Sequence, residues 1–285
     1  NVTGTNNTLI GHSAGLGASG QSHTGNTAVG YYSLQAITTG DYNTAVGVNS
    51  ADALTEGQEN VVIGRNAMGA ATTTSSCTLI GVNAGAAINN NDANGTVAVG
   101  INALSALTEG QYNTAVGTNA SEQLTTGDKN TSLGYQSLDA LTTGSGENTA
   151  VGYGSLGALQ TGAYNTAIGN DSLSAMNGSE SNNVAIGRSS GYNIDGGSDN
   201  VFVGRSTQGS SATATNQNVF GYHAAGVADN SVTLGNADVT AVYMAEDSGA
   251  TVHCSGVNFP DGTSHYSSDA NTLDDYEEGT WTPAF

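Results

Sequence analysis

The sequence predicts an all-β fold, a parallel β-roll or β-solenoid of about 14 coils, and three observations carry that reading. Pentapeptides ending in glycine recur along the chain: NTLIG at Gly11, NTAVG at Gly30, Gly47, Gly117 and Gly152, NVVIG at Gly64, CTLIG at Gly81, NTSLG at Gly134, NTAIG at Gly169 and SVTLG at Gly235. Most successive glycines stand 17 residues apart, and the steps range from 14 to 19. The chain holds 41 glycines but 2 prolines and is 37% hydrophobic, which excludes collagen and leaves each repeat only a thin core. A fixed short period in units too small to bury their own faces is the signature of stacked coils.

Taken in order, each coil opens on an asparagine four places before the glycine, as at Asn26, Asn43, Asn60, Asn113, Asn130, Asn148 and Asn165. Stacked at one strand spacing, about 4.8 Å, such side chains bond up and down a row that stabilises a turn. Side chains of a strand alternate, so Thr27 with Val29, Val61 with Ile63 and Val184 with Ile186 share one face. Being β-branched, that face is expected to line the coil interior. The opposite face, Ala28 with Gly30, Ala115 with Gly117 and Ala167 with Gly169, is small enough for another backbone to come close, and packing of three chains against it is expected. The repeat glycines, Gly30, Gly47, Gly64, Gly117, Gly134, Gly152 and Gly169 among them, are read with the asparagines as the structural ladder.

After the glycine, segments such as YYSLQAITTG (31–40) and YQSLDALTTG (135–144) place leucine or isoleucine three residues apart, as in Leu34 with Ile37 and Leu104 with Leu107. That spacing fits a second short strand or a turn that buries its leucines, or one helical turn. Thr-Thr-Gly and Thr-Glu-Gly turns then return the chain, and the longer steps are absorbed there. The period fails beyond residue 235, so the chain divides into a repeat shaft, 1–235, and a C-terminal β transition region, 236–285, in which VTAVYM and ATVHCSGVNF read as ordinary strands. The transition region is expected to lead to a further distal domain.

Four basic residues against 24 acidic ones give a net charge of −20, which argues against nucleic-acid partners and anionic membrane surfaces. Loop acids such as Asp41, Glu56, Glu109, Asp128 and Asp139 are read as solvation of a slender rod. No apolar run is long enough to insert in a membrane. Cys77 and Cys254 form no disulfide framework, the five histidines have no metal-ligand spacing, and no nucleophile motif is present. No catalytic residue, cofactor or metal site is therefore expected. The tyrosines beside the strands (Tyr31, Tyr135, Tyr153, Tyr222, and Tyr42, Tyr112, Tyr164) are expected to be partly buried against neighbouring coils rather than to form a sugar-stacking surface.

The pattern N-[TV]-A-[VI]-G-x-x-[SA]-L, with Val97-Ala98-Val99-Gly100 and Val184-Ala185-Ile186-Gly187 as good examples, resembles the YadA-type head repeat of trimeric autotransporter adhesins. That resemblance implies a left-handed parallel β-roll in a homotrimer. Two later stretches, DNSVTLGNADVTAVYM (229–244) and NTLDDYEEGTWTP (271–283), are similar to segments of bacteriophage tail-fibre and related virion fibre proteins, which precede receptor-binding or chaperone domains. Together they imply a structural virion fibre, a phage tail fibre or related appendage on the virion surface. Its partners would be its own copies, other virion proteins and, through a distal domain, a host surface glycan or protein. A trimeric adhesin head on a bacterial cell surface is the alternative. An ice-binding solenoid ranks third, because its threonine row is expected to point inward.

Overall fold

In the computed structural model, residues 4–18, 20–89, 93–143 and 146–243 are described. They contain one parallel sheet of 14 short strands stacked in chain order, a β-solenoid without helix. The strands are β1 (Thr8–Ile10), β2 (Thr27–Val29), β3 (Thr44–Val46), β4 (Val61–Ile63), β5 (Thr78–Ile80), β6 (Val97–Val99), β7 (Thr114–Val116), β8 (Thr131–Leu133), β9 (Thr149–Val151), β10 (Thr166–Ile168), β11 (Val184–Ile186), β12 (Val201–Val203), β13 (Gln217–Phe220) and β14 (Ser231–Leu234). Every repeat keeps register with the next: Thr44 pairs with Thr27 and Val61, and Ala45 with Ala28 and Val62. Hydrogen bonding continues beyond the strands around the coil. Asn49 N donates to Tyr31 O (2.9 Å), Ala51 N to Ala67 O (3.0 Å), Thr55 N to Thr72 O (2.8 Å) and Glu59 N to Asp41 O (3.1 Å). The perimeter is thus one wound ribbon, and its backbone polar groups find partners in adjacent coils.

The residues after the glycine form the turn that buries its leucines, not a second strand or a helical turn. They make a corner with left-handed backbone at the second and fourth positions, as at Asn49 (φ 52°) and Ala51 (φ 49°). Another left-handed residue precedes the asparagine, as at Glu59 (φ 59°). Leucine holds the fourth position in several coils, among them Leu34 (φ 49°), Leu104 (φ 51°) and Leu138 (φ 54°). That conformation costs a non-glycine residue about 1–2 kcal/mol. Full burial of the leucine, worth about 1.5–3 kcal/mol, offsets it.

Those leucines decide which face of the strand points inward, and the result reverses the expectation from β-branching. Ala28, Ala45, Ala98, Ala115, Ala150, Ala167 and Ala185, at the strand centres, are 0% exposed inside their own coils. The interior is already filled by residues such as Leu34 and Ile37, so the strand can contribute only a small side chain. Thr27 with Val29, Val61 with Ile63 and Val184 with Ile186 point out. The alanine face therefore has its partner within the chain and needs no second copy to bury it.

The chain divides into two compact units after Thr240. Residues 239–243, the start of the expected VTAVYM strand, take no strand pairing, and the rest of the transition region, 244–285 with Cys254, lies outside the described residues.

Candidate interaction face

The asparagines expected as a ladder lie together, buried at one corner of the coil. Asn43 donates its backbone N–H (2.8 Å) and Nδ2 (3.1 Å) to Asn26 Oδ1, and its Nδ2 also reaches Gly57 O (2.8 Å). Asn60 repeats the contacts on Asn43, Asn130 on Asn113, Asn148 on Asn130 and Asn165 on Asn148. The row stops at Cys77, whose N–H bonds Asn60 Oδ1 at 3.0 Å, and at Thr96, whose buried hydroxyl has no partner. It resumes at Asn113 and runs to Gln217 N. These side chains are consumed by the fold and offer nothing to a ligand.

Two further rows escaped the sequence reading. The serine three places after the glycine donates to the strand-centre carbonyl of the next coil, as Ser33 Oγ to Ala45 O and Ser50 Oγ to Val62 O, both 2.9 Å. The residue six before the glycine caps the preceding turn: Asp128 Oδ1 accepts Gln111 N at 2.8 Å, and Asp41 Oδ1 accepts Thr24 N. Asp41 and Asp128 are thus turn caps as well as solvated charges. The recurrence of Asp, Ser or Asn at that position was the available signal.

Among the described residues, burial shifts several titratable groups. Burial pushes the Cys77 thiol up to about 11, leaving it protonated and a poor nucleophile. Burial raises the Asp139 carboxyl, with Glu122 adding to it, and burial likewise raises Asp52. Among the described residues no group of three His, Cys, Asp or Glu is placed to hold a metal, and no helix is long and apolar enough to cross a membrane.

His23 is fully buried, its Nδ1 3.2 Å from Asn26 Nδ2 and its Nε2 without a partner. Burial lowers its pKa below the ordinary 6.5, against the opposing field of Asp41. The unfolded chain therefore takes up the proton first, and stability is lost as pH falls from 6.5 toward the native value. Urea midpoints at pH 8 and pH 5.5 should differ more for the wild type than for His23→Gln; an equal difference would remove His23 as the cause.

What remains is the outward side of the sheet. Three rows form it: the third position before the glycine (mostly Thr, otherwise Val, with Asn218 in β13), the first before it (Val, Ile, Leu or Phe) and the one after it. The aliphatic row is half-buried to exposed along its length, with Ile10 59%, Ile63 37%, Leu133 47% and Ile186 42% exposed. No described carboxylate stands on these rows; the acids occupy the turns, as at Asp41, Glu59, Asp128 and Asp199, and the corner, as at Asp52, Glu122 and Asp139. Tyr31, Tyr135, Tyr153 and Tyr222 are exposed rather than buried, in the row after the glycine, and Tyr135 and Tyr153 stack at 5.6 Å. Tyr42, Tyr112 and Tyr164 are also exposed, on the opposite edge of the face.

At about 4.8 Å per strand and about 3.3 Å per residue, this face measures roughly 60 by 13 Å, on the order of 800 Å². That equals one partner's share of a standard specific interface. The middle row of the face is apolar, flanked by a row mostly of threonine on one side and by a mixed row with Tyr, Arg, Asn and His on the other. No protein-family model, curated protein or solved structure matches the chain.

Proposed function

We propose that the repeat unit is the shaft of a structural fibre, built by parallel association of three copies through the outward Thr/Val and Val/Ile rows, and that it carries a host-binding domain away from a virion. The observation that carries this reading is the segregation of charge. In a chain of net charge −20, one side of every described coil is free of carboxylates and carries a continuous apolar row just before the glycine. Three such faces turned toward one axis bury the aliphatic rows and leave the acidic turns in water. The virion assignment rests on the NTLDDYEEGTWTP segment, which is similar to segments of virion fibre proteins. The mechanism is mechanical: a rod holds the binding domain at a distance, and three copies supply avidity.

The test is mass in solution. The wild type is expected at three times 28.3 kDa, and Val116→Asp with Val151→Asp, which place carboxylates in the aliphatic row, should fall to the monomer with its β spectrum intact. A monomeric wild type would overturn the reading. The outward threonines favour one other reading, since their inward orientation was the reason to rank an ice-binding solenoid last. Regularly spaced hydroxyls and methyls on a flat sheet could order water against ice. That use requires the same face to be free, so a monomer with thermal hysteresis that Thr114→Lys abolishes would favour it.

A further inference from the structure

The three arginines of the chain, Arg65, Arg188 and Arg205, each follow a repeat glycine, so all of them lie on one edge of the outward face. All three are exposed. Acids outnumber bases 24 to 4, yet none of the three has a described carboxylate within the 4.0 Å of an ion pair. The only ion pair among the described residues joins Lys129 Nζ to Glu147 Oε1 at 3.4 Å, on the opposite edge. Arg205 lies over the Tyr222 ring, 4.3 Å from its centre, and so is held in place without being neutralised.

The opposite edge carries the complement. Five places before the glycine stand Glu59, in the coil of Arg65, and Asp199, in the coil of Arg205; both are exposed. Acid and arginine of one coil sit six residues apart across the strand, up to about 20 Å of extended chain, so they cannot meet within a copy. Parallel copies in register around an axis along the rod bring the arginine edge of one against the acidic edge of the next, coil for coil. An antiparallel overlap of the whole ladder instead sets the β4 coil against the β11 coil with like edges together, and Arg65 then faces Arg188.

Resting on the assembly reading above, we infer that Arg65 with Glu59 and Arg205 with Asp199 form ion pairs between adjacent copies that fix their parallel, zero-offset register. The apolar rows alone do not do this: consecutive coils present nearly the same Thr-x-Val surface, and a slip by one coil costs them little. The charges make the slip unfavourable, because it separates both pairs. They contribute specificity more than affinity, as charges at an interface rim do.

The test is cross-linking of the full chain with a short bis-maleimide, in a Cys254→Ser background; Cys77 is buried and stays inert. Asp199→Cys with Arg205→Cys is expected to give covalent trimers, while either substitution alone gives monomers, because unlike edges meet. Trimers by mass that do not cross-link in the double variant, or cross-linked dimers from Arg205→Cys alone, would overturn the register while leaving the assembly standing. A monomeric wild type would overturn the assembly itself and the pairs with it. A second measurement reads the charges directly. Arg65→Glu with Arg205→Asp should raise the concentration for half-assembly about ten-fold or more, and adding Glu59→Arg and Asp199→Arg to the same chain should restore it. Failure of that restoration in a folded protein also overturns the pairs.

Discussion

Replacing Gly117 with valine is expected to prevent the rod from folding as one body, while Asp128→Asn leaves its stability within about 0.5 kcal/mol of the wild type. Gly117 sits at φ 139°, where a β-branched residue is a genuine outlier. A Cβ there would also meet the Gly134 carbonyl, 2.6 Å from its carbon. The obstruction is the next coil of the same chain, and it cannot move aside, because Gly134 N is itself tied to Val116 O at 2.8 Å. Strain of about 1–3 kcal/mol adds to a backbone clash, so a loss above about 4 kcal/mol is expected. Stability of stacked coils is largely a sum over neighbouring interfaces, so one ruined interface divides the ladder between β7 and β8. Asparagine at 128, by contrast, keeps the Oδ1 that accepts the Gln111 N–H. Urea unfolding of the two variants checks this, and coincident midpoints would contradict the coil geometry.

The glycine and asparagine rows were legible because each depends on a residue type with a narrow physical use. Only glycine tolerates that backbone against a carbonyl, and only an amide both accepts from the next coil and donates to the closing turn. Strand placement followed directly from their spacing. The direction of the strand faces did not follow, because the rule that β-branched residues line an interior presumes an interior with room. Here Leu34 and Ile37, from the corner, take that room first. The candidate face was missed for the same reason: its threonines and valines were assigned to the core. Charge could have corrected this, since the acids of the repeats, at Asp41, Glu59, Asp128 and Asp199, all avoid the strand positions. The arginine edge follows from the same bookkeeping, but only once the face is known to be outward. The left-handed corner at Leu34 or Leu104 carried no sequence signal, because leucine is a residue that ordinarily avoids it.

One signal in the sequence did encode the orientation, and it yields the sharpest test of the interior. Where the strand centre is leucine instead of alanine, as at Leu9 and Leu79, the corner position six residues later is glycine, Gly15 and Gly85. Gly85 has φ 57°, close to Leu104 at 51° in the next coil, so the backbone already suits the larger residue. Its absent side chain is replaced by Leu79: a Cβ on Gly85 would meet Leu79 Cδ1 at 3.0 Å and Ile88 Cδ1 at 2.8 Å. The two positions compete for one volume. Leu79→Ala is therefore expected to open a cavity and cost about 2–5 kcal/mol, and Gly85→Leu alone to overpack and cost about 1–3 kcal/mol. Together they should recover most of the loss, because they recreate the arrangement of Ala98 with Leu104. Recovery should stop short of complete, since leucine in a left-handed corner retains about 1–2 kcal/mol of strain. A coupling energy of about 2 kcal/mol or more in a denaturation double-mutant cycle is the expected result. Additive losses would mean that the strand centre and the corner do not share the interior, and the outward assignment of the Thr/Val face would fall with them.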